Sequence, residues 1–357
     1  MTTIVIAAGG TAGHVVPALA VADELRERGN EVVFIGGERA EAELVPAAGY
    51  PFHALRVRGL NRSNPLRAAR AALQAARATG RARRLLRSVG AEAVMGGGGY
   101  VAGPVGLAAR SLRLPLVLTE ADSHMGVTNR MLAPLARRVC LAFPTDGRDG
   151  GRYLVTGRPV PAGTGGADRA VARERFGIPP DGPCLLVFGG SLGARRLNEA
   201  SVDAFGSGAA CAVLHACGRR DHDELRARLA ELGAPAHYRL YPYIEPFADA
   251  LAAADLVAAR GGGSVLEVAA AGLPSILVPY PHASADHQTA NARYMEQAGA
   301  AVVVPDAELD GPRLAREIAA LLGAPGRMAE MAKAARAASR PDAARLIADE
   351  LEAAARG

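Results

Sequence analysis

Short apolar runs alternate with stretches of helical periodicity along the whole chain. In the first half the runs fall at 3–8, 31–36, 52–57, 93–96, 116–120, 139–143 and 153–156. In the second they fall at 184–189, 212–216, 238–243, 256–259, 275–279 and 301–305. These runs are rich in Val, Ile and Leu, and helix-length segments separate them, so each reads as a strand buried in a parallel sheet covered on both faces. The halves share a design. IVIAAGGTAGH opens the first and CLLVFGGSLGA opens the second about 180 residues later; each is a strand, a glycine turn and a helix. PALAVADELRERG reads as a helix with Pro17 in its first turn, where the missing N–H costs nothing, and with its stop at Gly29. The Pro- and Gly-rich segment 157–169 reads as an interdomain linker. The pattern predicts an α/β protein of two Rossmann-like, doubly wound parallel-sheet domains, 1–160 and 161–340. Glycine turns lie at the carboxyl ends of such strands, where ligands bind, so two such sheets are expected to face each other across a cleft.

The length of 357 residues agrees with two domains. No apolar run reaches the roughly 18 residues of a membrane span. The start, MTTIVIAAGGTAGH, lacks the basic region and long apolar core of a signal peptide and reads as a buried strand. The four cysteines form no CxxC pair, which points to a reduced, cytoplasmic chain without a thiolate metal site. Any membrane contact is then peripheral and from the cytoplasmic face.

Charge changes the picture in one place. The net charge is only +5, yet no acid occurs between Glu43 and Glu92, where ten arginines fall. In the helix predicted for 65–87, Arg67, Arg70, Arg77, Arg81 and Arg84 share a stripe of roughly 100°. Two readings stay open: a solvated face, or attraction to anionic lipid head groups at about 1 kcal/mol per basic residue. The segment has no aromatic residue for base stacking, which argues against nucleic acid.

The turn Gly9-Gly10-Thr11-Ala12-Gly13-His14 suits an anion held by backbone N–H groups at a helix start. It is neither GxGxxG nor a P-loop, and Glu38 is the acid nearest the end of the second strand. A tight turn without a ligand is the bland alternative. His14 is a candidate general base, because imidazole titrates near neutral pH. Gly96–Gly99 and Tyr100 follow another strand; crowding between loops or a ligand would each explain four glycines. In the second half, Ser191 of GGSLGA is a candidate phosphate donor. Gly263 and Ser264 of RGGGS precede a helix whose first turn carries Glu267, suited to ribose hydroxyls or to the helix dipole. Asp286, His287, Gln288 and Asn291 lie in PYPHASADHQTANA, without a metal-ligand spacing.

In this order, GGTAGHVVPALAVADEL, GGGGYVAGPVGLAAR, GVTNRMLA, TGRPV, GGSLGARRLNEA, EVAAAGLPSILVPYPHASADHQTANA and EQAGAA resemble the MurG family over nearly the whole chain. That resemblance implies the GT-B fold and an inverting transfer of N-acetylglucosamine from UDP-GlcNAc to lipid I, giving lipid II for peptidoglycan. It implies a donor held by the C-terminal domain and an N-terminal domain on the acceptor and membrane side, at an anionic inner-leaflet surface, with Gly98 and Tyr100 near the acceptor. It also implies a last helix, 341–357, crossing back to the first domain. By the same resemblance Thr11, Ala12 and Gly13 lie near the donor sugar and phosphates, and His14 is the base, with Glu120 and Asp122 as rivals. Ser191 meets a phosphate, Ile244 the uracil, Glu267 the ribose, and Gln288 a sugar hydroxyl. Several positions depart from the family pattern. Ala12 replaces a glycine, Asp122 an asparagine that meets the sugar, and Leu192 a glutamine. Pro161 stands where the family has an arginine near the phosphates, and Arg158 is the candidate replacement.

No cofactor is implied beyond the donor substrate, and no DxD motif calls for a metal. The sequence leaves three alternatives open: a related transferase acting on a small natural product, a GT-B sugar-nucleotide epimerase, and a nucleotide-binding protein without turnover.

Overall fold

In the computed structural model, residues 1–57, 65–190 and 194–357 are described, apart from the side chains of 65–73 and Ser284. Two compact units result, Met1–Pro161 with Arg340–Gly357, and Ala162–Ser339.

The first unit carries seven strands: β1 (Thr3–Ala7), β2 (Glu31–Gly36), β3 (Phe52–Ala54), β4 (Ala93–Gly96), β5 (Leu116–Glu120), β6 (Arg138–Leu141) and β7 (Tyr153–Val155). Its helices are α1 (Ala12–Glu27), α2 (Ala40–Ala47), α3 (Pro65–Ser88), α4 (Ala102–Ser111) and α5 (Val127–Leu132), joined by the last helix of the chain. The second unit carries β8 (Cys184–Phe188), β9 (Ala212–Ala216), β10 (Tyr238–Tyr241), β11 (Leu256–Ala259), β12 (Ser275–Leu277) and β13 (Ala301–Val303). Its helices are α6 (Arg169–Phe176), α7 (Arg195–Phe205), α8 (His222–Glu231), α9 (Phe247–Ala253), α10 (Val265–Ala270), α11 (His287–Gln297), α12 (Gly311–Leu322) and α13 (Pro325–Ala338). The final helix is α14 (Ala343–Ala355).

Both sheets are parallel. Their orders are β3-β2-β1-β4-β5-β6-β7 and β10-β9-β8-β11-β12-β13. The order reverses between β1 and β4 in one sheet and between β8 and β11 in the other, and such switch points open the crevice where doubly wound sheets bind ligands. The four glycine turns seen in the sequence follow those four strands. Topology thus gathers them into two pairs, one per unit.

Several apolar runs outlast their strands. Residues 55–57, 142–143, 242–243 and 278–279 leave the sheet and become loop, although Leu55, Phe143 and Val278 are buried there. Burial carries hydrophobicity past the last ladder bond, so composition overshoots the strand end.

Pro17 corrects the reading of the first helix. That helix begins at Ala12, with Thr11 as an extended N-cap, so Pro17 lies inside it. Proline offers no N–H to the carbonyl four residues back, here Gly13, and its ring crowds that oxygen. The glycine turn and helix start are thus one feature, shorter than the sequence pattern implied.

Helix α14 packs into the first unit. Ile347, Ala348, Leu351 and Ala354 share a core with Val21, Leu25 and Phe34. Around that seam, Arg28 pairs with Asp349 at 2.7 Å and Arg138 with Glu350 at 2.8 Å.

Candidate active site

In the first unit the β1–α1 and β4–α4 turns crowd each other. A Cβ at Gly99 would stand 2.0 Å from the Gly9 carbonyl oxygen, and Gly99 has φ +76°. A Cβ at Gly98 (φ +86°) would stand 2.7 Å from His14 Cδ2. Crowding therefore accounts for these two glycines. It also seats the His14 ring, whose Nδ1 lies 3.3 Å from Thr11 Oγ1. Within the first turn of α1 the N–H groups of Ala12 and Gly13 have no intrahelical carbonyl to reach, the arrangement that suits an anion.

One residue of this unit was missed from sequence. Glu41, in the first turn of α2, is fully buried. Its carboxylate accepts from Gly10 N at 2.9 Å, Gly37 N at 2.8 Å and the Tyr100 hydroxyl at 3.3 Å. Burial first, and then the charge of Glu41, push the Tyr100 phenol above its ordinary range. Glu38, the acid that sequence position favoured, lies on the surface and pairs with Arg56 at 2.9 Å. The signal for Glu41 was the pair Gly36-Gly37: a Cβ at Gly37 would meet Tyr100 Oη at 2.0 Å and Glu41 Oε1 at 2.7 Å.

Glu120 closes β5 and is also buried. It accepts from Gly126 N at 2.8 Å, Asn129 Nδ2 at 3.0 Å and Asp122 N at 3.4 Å. Burial raises its pKa against the pull of those donors. Its carboxylate thereby shapes the 121–126 loop, on which Asp122 sits half-buried. Arg158 lies deep in its own unit. It is 5% exposed, and its guanidinium donates to Gly13 O at 2.9 Å and to Ala121 O at 3.4 Å. Two of the guanidinium nitrogens are thus engaged with backbone carbonyls of its own unit.

Arg77, Arg81 and Arg84 are exposed on α3, while Ala78, Ala82 and Leu86 on the opposite face are buried. The side chains of Arg67 and Arg70 lie outside the described residues. Helix α4 packs against α5. Leu107, Val127, Met131 and Leu135, on these helices and the turn after them, are exposed, Met131 by 69%. Arg110, Arg130 and Arg137 are exposed beside them.

In the second unit Ser191 and Leu192 lie outside the described residues. The β11–α10 turn is held from two sides. Arg260 is buried, donates to Val278 O at 3.2 Å and pairs with Asp306. Asn291, fully buried on α11, donates to Gly261 O at 3.1 Å. A Cβ at Gly261 would stand 2.4 Å from the Gln288 carbonyl oxygen, so α11 begins directly on this turn. Gly263 and the N-cap Ser264 are half-buried, as is Glu267 in the first turn of α10. Gln288 accepts from Tyr280 N at 2.9 Å through its side-chain oxygen, which fixes the amide's orientation. Ala285 and Asp286 just before α11 both have φ above +50°, a left-handed pair that costs non-glycine residues energy and is typical of ligand loops. Ile244 is buried after β10. Its neighbour Tyr243 has a raised pKa, from burial first and then from Glu245 and Glu267, against the pull of Arg219. Those charges put the Ile244 loop and Glu267 within electrostatic reach of each other.

A polar chain runs beneath these turns. Asn198 Nδ2 donates to Cys217 O at 2.8 Å and Asp221 Oδ2 at 3.0 Å. Its Oδ1 must then accept from His215 Nε2 at 3.0 Å, which leaves His215 Nδ1 to accept from the Tyr238 hydroxyl at 2.8 Å. His215 is fully buried, and burial lowers its pKa to about 3. Among the described residues, no three or more His, Cys, Asp or Glu side chains gather as a metal site.

Two parallel-sheet units, each with paired glycine turns at its switch point, are the architecture of the GT-B class. Comparison with known proteins agrees. The glycosyltransferase family 28 N-terminal domain matches residues 4–141, and the C-terminal domain of the same family matches 184–347. The UDP-N-acetylglucosamine–N-acetylmuramyl-(pentapeptide) pyrophosphoryl-undecaprenol N-acetylglucosamine transferase of Stutzerimonas stutzeri is 42% identical, covering 97% of each chain. The enzyme of the same name from Methylococcus capsulatus is 43% identical, over 97% of this chain and 96% of the other. The crystal structure of Acinetobacter baumannii MurG superposes with a TM-score of 0.78 at 32% identity, covering 99% of this chain and all of that one. The chain belongs to the MurG family.

Proposed function

We propose that this protein transfers N-acetylglucosamine from UDP-GlcNAc to lipid I, forming lipid II. The observation that carries this reading is identity above 40% across nearly the full length of relatives bearing that name. In the reaction an acceptor hydroxyl attacks the anomeric carbon, the bond to the diphosphate oxygen breaks, and UDP leaves with the electron pair. The configuration inverts. His14 takes the hydroxyl proton, and Asp122 is its nearest rival. Glu120 suits the role less well, because three donors already hold its carboxylate. Ile244 contacts the uracil, Glu267 the ribose, Gln288 the sugar, and Ser191 with Gly263 and Ser264 the diphosphate. The N–H groups at the start of α1 stabilise the charge that develops on the leaving group. The chemistry as written requires no metal and no cofactor beyond the donor.

The protein meets its lipid-linked acceptor at the cytoplasmic face of the membrane. No helix among the described residues is long and apolar enough to cross a bilayer. Support for a surface contact comes from the exposed apolar side chains of α4 and α5 with arginines beside them and on α3, a combination that suits an anionic interface.

The test is to incubate pure protein with UDP-GlcNAc, with and without a lipid I analogue, and to follow UDP release and product. Acceptor-dependent UDP release with a disaccharide-lipid product is the expected result. Sugar interconversion without acceptor would make it an epimerase, transfer only to small soluble acceptors a natural-product transferase, and UDP binding without turnover an inactive relative.

A further inference from the structure

We infer that Arg158 is a positioning residue that sets the first turn of α1, and with it His14, against the loop that carries Asp122. The inference rests on the proposed role of His14 as base.

Pro17 leaves a gap in the hydrogen-bond ladder of α1. An α-helix interior closes each carbonyl with the N–H four residues on, and at Gly13 that donor is missing because residue 17 is proline. A carbonyl left in that state beside a protein interior needs another donor. Arg158 provides it: Nη2 reaches Gly13 O at 2.9 Å. The other terminal nitrogen reaches Ala121 O at 3.4 Å. One rigid, planar cation thus joins the residue before His14 to the residue before Asp122. The far side of each joint is fixed too. Thr11 Oγ1 lies against the His14 ring and Gly98 makes room for it, while Glu120 organises the 122–126 backbone.

The loop that presents Arg158 is itself constrained. Gly157 has φ +87°, and a Cβ there would stand 2.4 Å from Arg340 Cβ. Arg340 in turn donates to Val155 O at 3.3 Å. Arg158 therefore projects inward from a backbone held on its outer side. A guanidinium 5% exposed and bonded to two backbone oxygens is placed to hold those two backbone segments together.

The test uses this proline dependence. Arg158→Met keeps the bulk and loses the donors. Pro17→Ala restores an N–H to Gly13 O from within the helix. In the transfer assay, Arg158→Met is expected to lower kcat about tenfold or more, the scale of a small misplacement of a reacting group, with donor KM changed less than about twofold. Pro17→Ala alone should stay near wild type. The double variant should recover part of the lost kcat, because the backbone N–H regained at position 17 then serves Gly13 O while Ala121 O stays without its guanidinium donor. A rise in donor KM at constant kcat would overturn the inference in favour of a phosphate contact. So would an equal loss from Arg158→Met in both backgrounds, or no loss at all. Should Arg158→Met fail to fold, recovery of folding in the double variant supports the inference and failure of both overturns it. His14→Ala is measured alongside. Near-normal turnover there would sink the base assignment, while the Arg158–Pro17 coupling would still report on the turn.

Discussion

The imidazole of His14 occupies the space that a side chain on Gly98 would need, with only 2.7 Å from its Cδ2 to an ideal Cβ there. Gly98 also has φ +86°, where an L-residue is strained by about 1–2 kcal/mol. Gly98→Ala should therefore act twice. Thermal unfolding should show a loss of about that size, and kcat should fall at least about tenfold as the ring is displaced. A stable variant with unchanged kcat would show that the ring position does not matter.

Glu41 draws the β1–α1 turn and the end of β2 onto one carboxylate. Glu41→Gln keeps the shape but turns an N–H donor toward other donors. The expected cost is about 1–3 kcal/mol in unfolding free energy. Activity should fall as well, because Gly10 loses its acceptor. Denaturant titration and steady-state kinetics on one preparation check both effects.

His215 predicts an acid limb of stability. Its folded pKa is about 3, against 6.5 for the free group. Between those values the unfolded chain binds a proton that the folded chain refuses, so stability rises with pH through that window and is lost as pH falls below about 6.5. From pH 7 to pH 5 the loss from this group is about 2 kcal/mol. Melting temperature against pH measures it. His215→Gln should flatten the slope, and an unchanged slope would place its source elsewhere.

Exchanging Arg67, Arg70 and Arg77 for glutamine should weaken binding to anionic vesicles by about 100-fold at low salt, at roughly 1 kcal/mol each. Neutral vesicles should bind both proteins equally. Equal binding to anionic vesicles would leave α3 as a solvated face. Met131→Ser tests the apolar part by co-sedimentation with the same vesicles, and weaker binding is expected.

Much of this was legible in the sequence, for a physical reason. A strand buried on both faces must be apolar throughout, and a glycine turn at its end has no other economical composition, so both print directly on the chain. The residues that set the geometry of the site print less clearly. Glu41 goes unnoticed in the sequence because its partners, Gly10 and Tyr100, are 31 and 59 residues away. Arg158 looked like a phosphate ligand because it stands in a motif next to the departure at Pro161. Only the structure shows the carbonyl that Pro17 leaves for it. Pro17 itself was read as marking a helix start, since the rule that favours proline there is local, while the donor that excuses it mid-helix lies 141 positions further on.

The docking of α14 has a consequence for how the chain is made. Because the first unit consists of Met1–Pro161 and Arg340–Gly357, the second is an uninterrupted insertion within it. During synthesis the insertion emerges whole and can complete its own packing while the first unit still lacks a helix. The apolar surface around Val21 and Leu25 waits for Ile347 and Leu351, so the part of the protein begun first is the part finished last.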